Sequence, residues 1–228
     1  VENSSNFLSG AKDAVPIVLG YLPLGLAFGG LARVEGLSPL TATLMSIFIY
    51  SGSGQFILVA LLAAGSGLLA IVITVLLVNL RYLLLSASLA TYTRNLPRWF
   101  LALIAAEITD ESYAVGVTRF SRDRPTIPYL LGLFVTAHLS WITGSCLGAI
   151  LGGIFGNVRE WGLDFALTAM FICLLVWQVA DRQKFIVALL GVFFYLVLAL
   201  CSQSFWNIIV ATILASVGGM VCEKWIKK

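Results

Sequence analysis

Charge is what this chain has least of. Only 11% of its 228 residues are Asp, Glu, Lys or Arg, and a soluble domain carries about twice that fraction. No long hydrophilic loop interrupts the sequence, so a separate soluble domain has nowhere to sit. The cysteines Cys146, Cys173, Cys201 and Cys222 are scattered through apolar segments with no C-x-x-C spacing. They support neither a disulfide framework nor a zinc site and read as small buried hydrophobes. Nothing matches G-x-x-x-x-G-K followed by Ser or Thr, which argues against ATP hydrolysis, and no His-Glu-x-x-His is present for a zinc protease. No metal and no cofactor is expected. The net charge of +3 is small and its residues fall at the ends of apolar runs, which fits membrane orientation and argues against a nucleic-acid partner.

Apolarity fills the space that charge leaves. Hydrophobic residues make up 60% of the chain and its mean hydropathy is +0.98. Apolar segments recur at residues 14–32, 39–64, 68–92, 99–117, 127–155, 163–180, 185–201 and 205–222. The expected fold class is an all-α polytopic integral membrane protein with about six to eight such segments, one transmembrane transporter domain over residues 1–228. The first run is rich in Pro and Gly without a small-residue cleavage site, so it is not expected to be a signal peptide. Segment 39–64 is split at Ser51-Gly52-Ser53-Gly54, leaving halves too short to span alone. Segment 99–117 is interrupted by Glu107, Thr109, Asp110 and Glu111. Both are expected to be broken or re-entrant helices.

Basic residues cluster at Arg94 and Arg98, at Arg119, Arg122 and Arg124, at Arg182 and Lys184, and at Lys224, Lys227 and Lys228. The positive-inside rule puts all four clusters in the cytoplasm only if 99–117 enters and leaves on one side. The C-terminus is then cytoplasmic, while the side of the N-terminus depends on whether 39–64 spans. A faint echo links Gly36-Leu37 and Gln55–Leu61 with Gly162-Leu163 and Lys184–Leu189. It fits either an internal repeat of the kind transporters use or shared composition alone.

Arg81 is the most informative residue. It lies near the middle of an otherwise apolar run, roughly 15–20 Å from either end of the helix that run would form. Bilayer hydrocarbon is about 30 Å thick, and insertion scales put an arginine at its centre at a cost of roughly 2.5–3.5 kcal/mol. Such a charge marks a binding or translocation site, or pairs with a carboxylate to hold helices together. Both readings can hold at once.

Tyr50-Ser51-Gly52-Ser53-Gly54-Gln55 interrupts its helix with small and hydroxyl residues. A break exposes N–H groups at the start of the next half-helix, suited to an anion such as an amino-acid carboxylate. The alternative is a glycine-rich packing seam. Among the acidic residues, Asp110 and Glu111 point about 100° apart on a helix and serve different partners, whereas Glu107 and Glu111 could share a face. One could pair with Arg81 or a substrate ammonium, and another could bind and release a proton; a solvated turn is the alternative. His138, the only histidine, falls mid-span and is either a proton relay or a hydrogen-bonding partner for a neighbouring helix. Pro23 and Gly25-x-x-x-Gly29 suggest a kinked, closely packed first span. Asp164 suits a helix N-terminus. An intramembrane serine protease would need Ser53 and His138 as a dyad, but the expected Gly is Ser at position 51.

Taken together, Ala27-Phe28-Gly29, Tyr50-Ser51-Gly52-Ser53-Gly54-Gln55-Phe56, Asn79-Leu80-Arg81-Tyr82 and Thr109-Asp110-Glu111 resemble the AzlC family, over essentially the whole chain. That family is the large subunit of a two-component branched-chain amino acid exporter. Two departures fall at the helix break, Ser51 where Ala is usual and Gly54 where Ser is usual, which shifts a hydroxyl by one residue and leaves substrate choice open. The resemblance implies export of leucine, isoleucine and valine, with methionine as a further candidate, across a bacterial inner membrane with a small AzlD-type membrane subunit. On that reading Tyr50, Ser51, Gly52, Ser53, Gly54, Gln55, Asn79 and Arg81 bind substrate, and Asp110, Glu111 and Glu107 serve ammonium binding or coupling. Oligomerisation is left open. A non-transporting scaffold subunit and a passive channel are the competing classes.

Overall fold

The computed structural model describes residues 6–120, 124–152, 172, 175–176, 179, 182–201 and 206–226. Among the described residues all regular structure is helical. In chain order the helices are α1 (Phe7–Asp13), α2 (Val15–Val34), α3 (Pro39–Phe48), α4 (Gly52–Ala63), α5 (Leu68–Thr93), α6 (Arg98–Glu107), α7 (Asp110–Phe120), α8 (Ile127–Leu151), α9 (Arg182–Cys201) and α10 (Trp206–Ile226). They gather into two compact units, Val1–Leu167 and Thr168–Lys228. Most of the expected segment 163–180 lies outside the described residues, as do Arg122, Asp164, Cys173, Lys227, Lys228 and the Gly162-Leu163 end of the sequence echo.

Among the described residues three helices, α2, α5 and α8, are long and apolar enough to cross a bilayer. Shorter apolar helices or stretches lie at Pro39–Phe48, Gly52–Ala63, Lys184–Leu200 and Val210–Met220. In the second unit, α9 and α10 pack against each other.

The first unit is built around α8, which touches α1, α2, α3, α6 and α7. Its contact with α2 is the most extensive, and small residues make it possible. Side chains at Gly25 and Gly29 would run into the backbone of Gly144, Ser145, Gly148 and Ala149, and one at Gly148 would run into Leu26. The contacting numbers rise together along both helices, so α2 and α8 run parallel at close range. α2 is continuous through Pro23. An aromatic row then fills the space toward α4: Trp141 packs edge-on against Tyr21 and stacks with Phe28, and Phe28 meets Phe56. α5 is different. Only 11% of its most apolar window is buried, and Leu69, Val72, Leu76, Leu80 and Leu83 face outward. Such a stripe is stable against lipid tails, where backbone groups are satisfied within the helix.

Local rules set the helix ends. Gly36, at φ +85, lets the chain leave α2 while Leu37 N–H bonds the Ala32 carbonyl. Ser38 caps α3 by accepting from Thr41 N–H, with Pro39 at the first helical position.

Both expected interruptions are present, with a correction at the first. The break is Ile49-Tyr50-Ser51; Gly52, Ser53 and Gly54 already form the first turn of α4. Ser51 is the N-cap: its Oγ accepts from Gly54 N–H and its carbonyl accepts from Gln55 N–H. The left-handed turn falls on Tyr50, at φ +39, and on no glycine. The second break is Ile108-Thr109, between α6 and α7. It overturns the expectation that Glu107 and Glu111 share a helix face, because they end one helix and begin the next.

Candidate functional site

The two breaks meet inside the first unit and sort their helix ends by charge. α4 and α7 bring their N-terminal ends to Arg81. Its Nη2 donates to Ser53 Oγ at 2.8 Å and to Tyr82 Oη at 3.1 Å, and its Nη1 lies 2.8 Å from Asp110 Oδ2. The guanidinium also sits 4.9 Å above the Tyr82 ring, a cation–π contact. Arg81 is 27% exposed and Asp110 14%, so this ion pair is mostly withdrawn from solvent. The Arg81 Nε is buried and makes no hydrogen bond. The first N–H groups of each half-helix have no intrahelical acceptor, and their partial positive charge adds to that of Arg81. Asp110 and Glu111, both in the first turn of α7, supply the negative charge that these surroundings favour.

α3 and α6 bring their C-terminal ends to His138. Nδ1 lies 3.1 Å from Glu107 Oε1 and 2.9 Å from Oε2, and Nε2 lies 3.1 Å from the Ser46 carbonyl. In an unbroken helix that carbonyl would accept from residue 50; the break leaves it to His138. The Tyr50 ring stacks on the imidazole with centroids 3.9 Å apart. A bulky residue in left-handed backbone costs about 1–3 kcal/mol, and this stacking is one contact that offsets it. The Tyr50 hydroxyl, buried beside Tyr21, completes no hydrogen bond of good geometry.

The remaining predicted residues divide in two. Ser51 Oγ donates to Asn79 Oδ1 at 2.6 Å, so Asn79 positions the break. Gly54 lies where a side chain would meet Ser51 Oγ at 2.6 Å and Asn79 Oδ1 at 3.2 Å. The Ser51 hydroxyl thus fills the space that a side chain at 54 would need. Gln55 turns away from Arg81: its Oε1 accepts from Trp141 Nε1–H at 2.8 Å and its Nε2 donates to Ser46 Oγ at 3.1 Å. With both ends engaged it ties α4 to α3 and α8. Gly52 opens α4 and is half-buried. Glu111 Oε2 and Thr109 Oγ1 each lie 2.7 Å from the Tyr21 hydroxyl. Thr109 and Ser112 bond reciprocally across the first turn of α7.

Sequence reasoning passed over Tyr21, which looks like ordinary packing in an apolar helix, and gave Tyr82 no role of its own. The Ser53–His138 dyad is not formed: Ser53 serves Arg81, and both ring nitrogens of His138 face Glu107 and Ser46. Among the described residues no group of His, Cys, Asp and Glu is arranged to hold a metal. An open cavity of about 500 Å³ at the α5–α6 junction is lined by Thr91, Arg94, Pro97 and Arg98, among others, and includes none of the site side chains.

Comparison with known proteins agrees with the membrane architecture. The AzlC protein family matches residues 16–155. The inner membrane protein YgaZ of Escherichia coli is 34% identical over 227 residues, covering 96% of this chain and 88% of its own length. A membrane protein of Helicobacter pylori is 32% identical over 223 residues, covering 96% and 97%. The branched-chain amino acid transport protein AzlC of Bacillus subtilis is 31% identical over 190 residues, covering 81% and 72%. No solved structure matches.

Proposed function

The chain belongs to the AzlC family, and from that membership and the geometry at Arg81 we propose that it is a secondary transporter exporting branched-chain amino acids. Leucine, isoleucine and valine are the substrates, methionine a further candidate, and proton movement the driving force. A small AzlD-type membrane subunit is its partner. The whole chain works as one transporter domain in a bacterial inner membrane, with its C-terminus on the cytoplasmic side. The Bacillus subtilis relative's name supports the substrate class.

The observation that carries this reading is Arg81 bridging Ser53 and Asp110 at the N-termini of two half-helices. An amino-acid zwitterion can replace that ion pair without changing the net charge. Its carboxylate takes Arg81 and the N–H groups of the broken helix, and its ammonium takes Asp110 or Glu111. The aliphatic side chain lies among neighbouring Leu, Ile and Phe residues. Asp110, Glu111 and Glu107 divide ammonium binding and proton coupling between them.

Binding of labelled leucine to purified protein tests the site. Asp110→Asn and Glu111→Gln are each expected to weaken it, with isoleucine and valine competing in the wild type. Unchanged binding in both variants and in the double variant would remove these carboxylates from the site. The Arg81–Asp110 pair also favours a second reading, a scaffold whose polar groups only lock helices. Under that reading site variants lower protein abundance and leave transport per molecule unchanged.

A further inference from the structure

At His138 the breaks create the electrostatic opposite of the Arg81 site. The C-terminal ends of α3 and α6, each carrying partial negative charge, converge there with the Glu107 carboxylate. A carboxylate at a helix C-terminus is unfavourable unless a cation or a proton joins it.

We propose that Glu107 and His138 together form the proton-binding site of this chain, a latch that ties α3 and α6 to α8 while one proton is held between them. The proposal rests on the transport reading above and assigns its coupling step. Hydrogen-bond valence carries it. The Ser46 carbonyl can only accept, so Nε2 of His138 carries a hydrogen. An ionised Glu107 can also only accept, so the hydrogen bond between Nδ1 and its Oε1 at 3.1 Å requires one further proton, on the ring or on the carboxyl group. When that proton leaves for water, the Nδ1 lone pair faces a carboxylate at contact distance. The contact becomes repulsive, and the α6–α8 tie opens. Rebinding a proton from the other side closes it.

The other carboxylates of the site are already engaged. Asp110 is held by Arg81 of α5, and Glu111 faces the Tyr21 phenol of α2. The Tyr50 ring covers the imidazole from the α3–α4 break, and α3 itself contributes only the carbonyl and hydroxyl of Ser46. On the α1 side, Asp13 is bonded to Tyr129, nine residues before His138 and so about 13 Å along α8. Glu107 is therefore the carboxylate free to share a proton with the imidazole.

His138 is the only histidine of the sequence, so ¹⁵N-histidine labelling of protein purified without a histidine tag gives its ring signals directly. In lipid nanodiscs, Nε2 is expected to stay protonated across the pH range while Nδ1 titrates. Glu107→Gln is expected to alter the Nδ1 profile, and Glu107→Asp to restore it in part. In proteoliposomes, Glu107→Gln and His138→Gln are expected to lose leucine accumulation driven by a pH gradient, while in His138→Gln counterflow, which needs no net proton movement, persists. An Nδ1 profile indifferent to Glu107→Gln overturns the proposal. So does gradient-driven accumulation at the wild-type level in both variants. If the wild type exchanges no leucine, the transport reading fails, and the Nδ1 profile alone decides whether the proton site stands.

Discussion

Arg81→Lys keeps a positive charge at the centre of the site and removes the planar fork. Arg81 reaches Asp110 Oδ2 at 2.8 Å through one terminal nitrogen, and Ser53 Oγ at 2.8 Å and Tyr82 Oη at 3.1 Å through the other. A lysine ammonium is a single point and cannot hold both half-helix ends in that geometry. Hydrogen bonds to charged groups contribute about 1.5–3 kcal/mol each. Losing one in the substrate-bound state lowers affinity by about 10- to 100-fold. Asp110 keeps a cationic partner, so membrane abundance is expected to remain near wild type. Arg81→Ala provides the contrast: it leaves Asp110, only 14% exposed, without its counter-charge, which costs about 3–5 kcal/mol for a buried pair. Abundance should fall in that variant and recover, without transport, when Asp110→Asn is added. The assay is leucine flux in proteoliposomes normalised to inserted protein. Wild-type flux per molecule in Arg81→Lys would refute the account of Arg81.

Three further perturbations test the frame around the site. Gly29→Leu drives a side chain into the Ser145 carbonyl and the Ala149 amide; overpacking costs about 1–3 kcal/mol even where side chains can give, so folded protein should be lost on size-exclusion analysis. Gly20→Ala, with nothing within 4 Å of the added carbon, should leave the melting temperature unchanged or raise it. Gly54→Ser should destabilise alone, because its Cβ falls 2.6 Å from Ser51 Oγ. Ser51→Ala should cost about 1 kcal/mol as a lost cap. The double variant should recover most of the Gly54→Ser loss while keeping the loss of the cap in a thermal melt, and strictly additive losses would contradict the shared-space explanation.

The helical class was legible in the long apolar runs, and Arg81 stood out because a charge inside such a run has few explanations. The first break was legible as a region, but its register was not. Glycine favours left-handed backbone, so Gly52 and Gly54 drew attention, whereas the turn falls on Tyr50 and the glycines enter α4. The fit of Gly54 under Ser51 and Asn79 depends on a residue in another helix. His138 was visible as an oddity, yet its partners Glu107 and Ser46 are 31 and 92 residues away in sequence. Gly25 and Gly29 announced a close helix contact, and only the fold identifies Gly144 and Gly148 as the facing residues. Long-range pairings of this kind leave no periodic trace in one sequence.

Counterflow of labelled leucine into proteoliposomes preloaded with unlabelled leucine tests the central claim most directly, with this chain alone and with the proposed small membrane subunit. The account predicts saturable counterflow suppressed by isoleucine or valine. Absence of flux in both preparations, with both proteins folded and inserted, would contradict it.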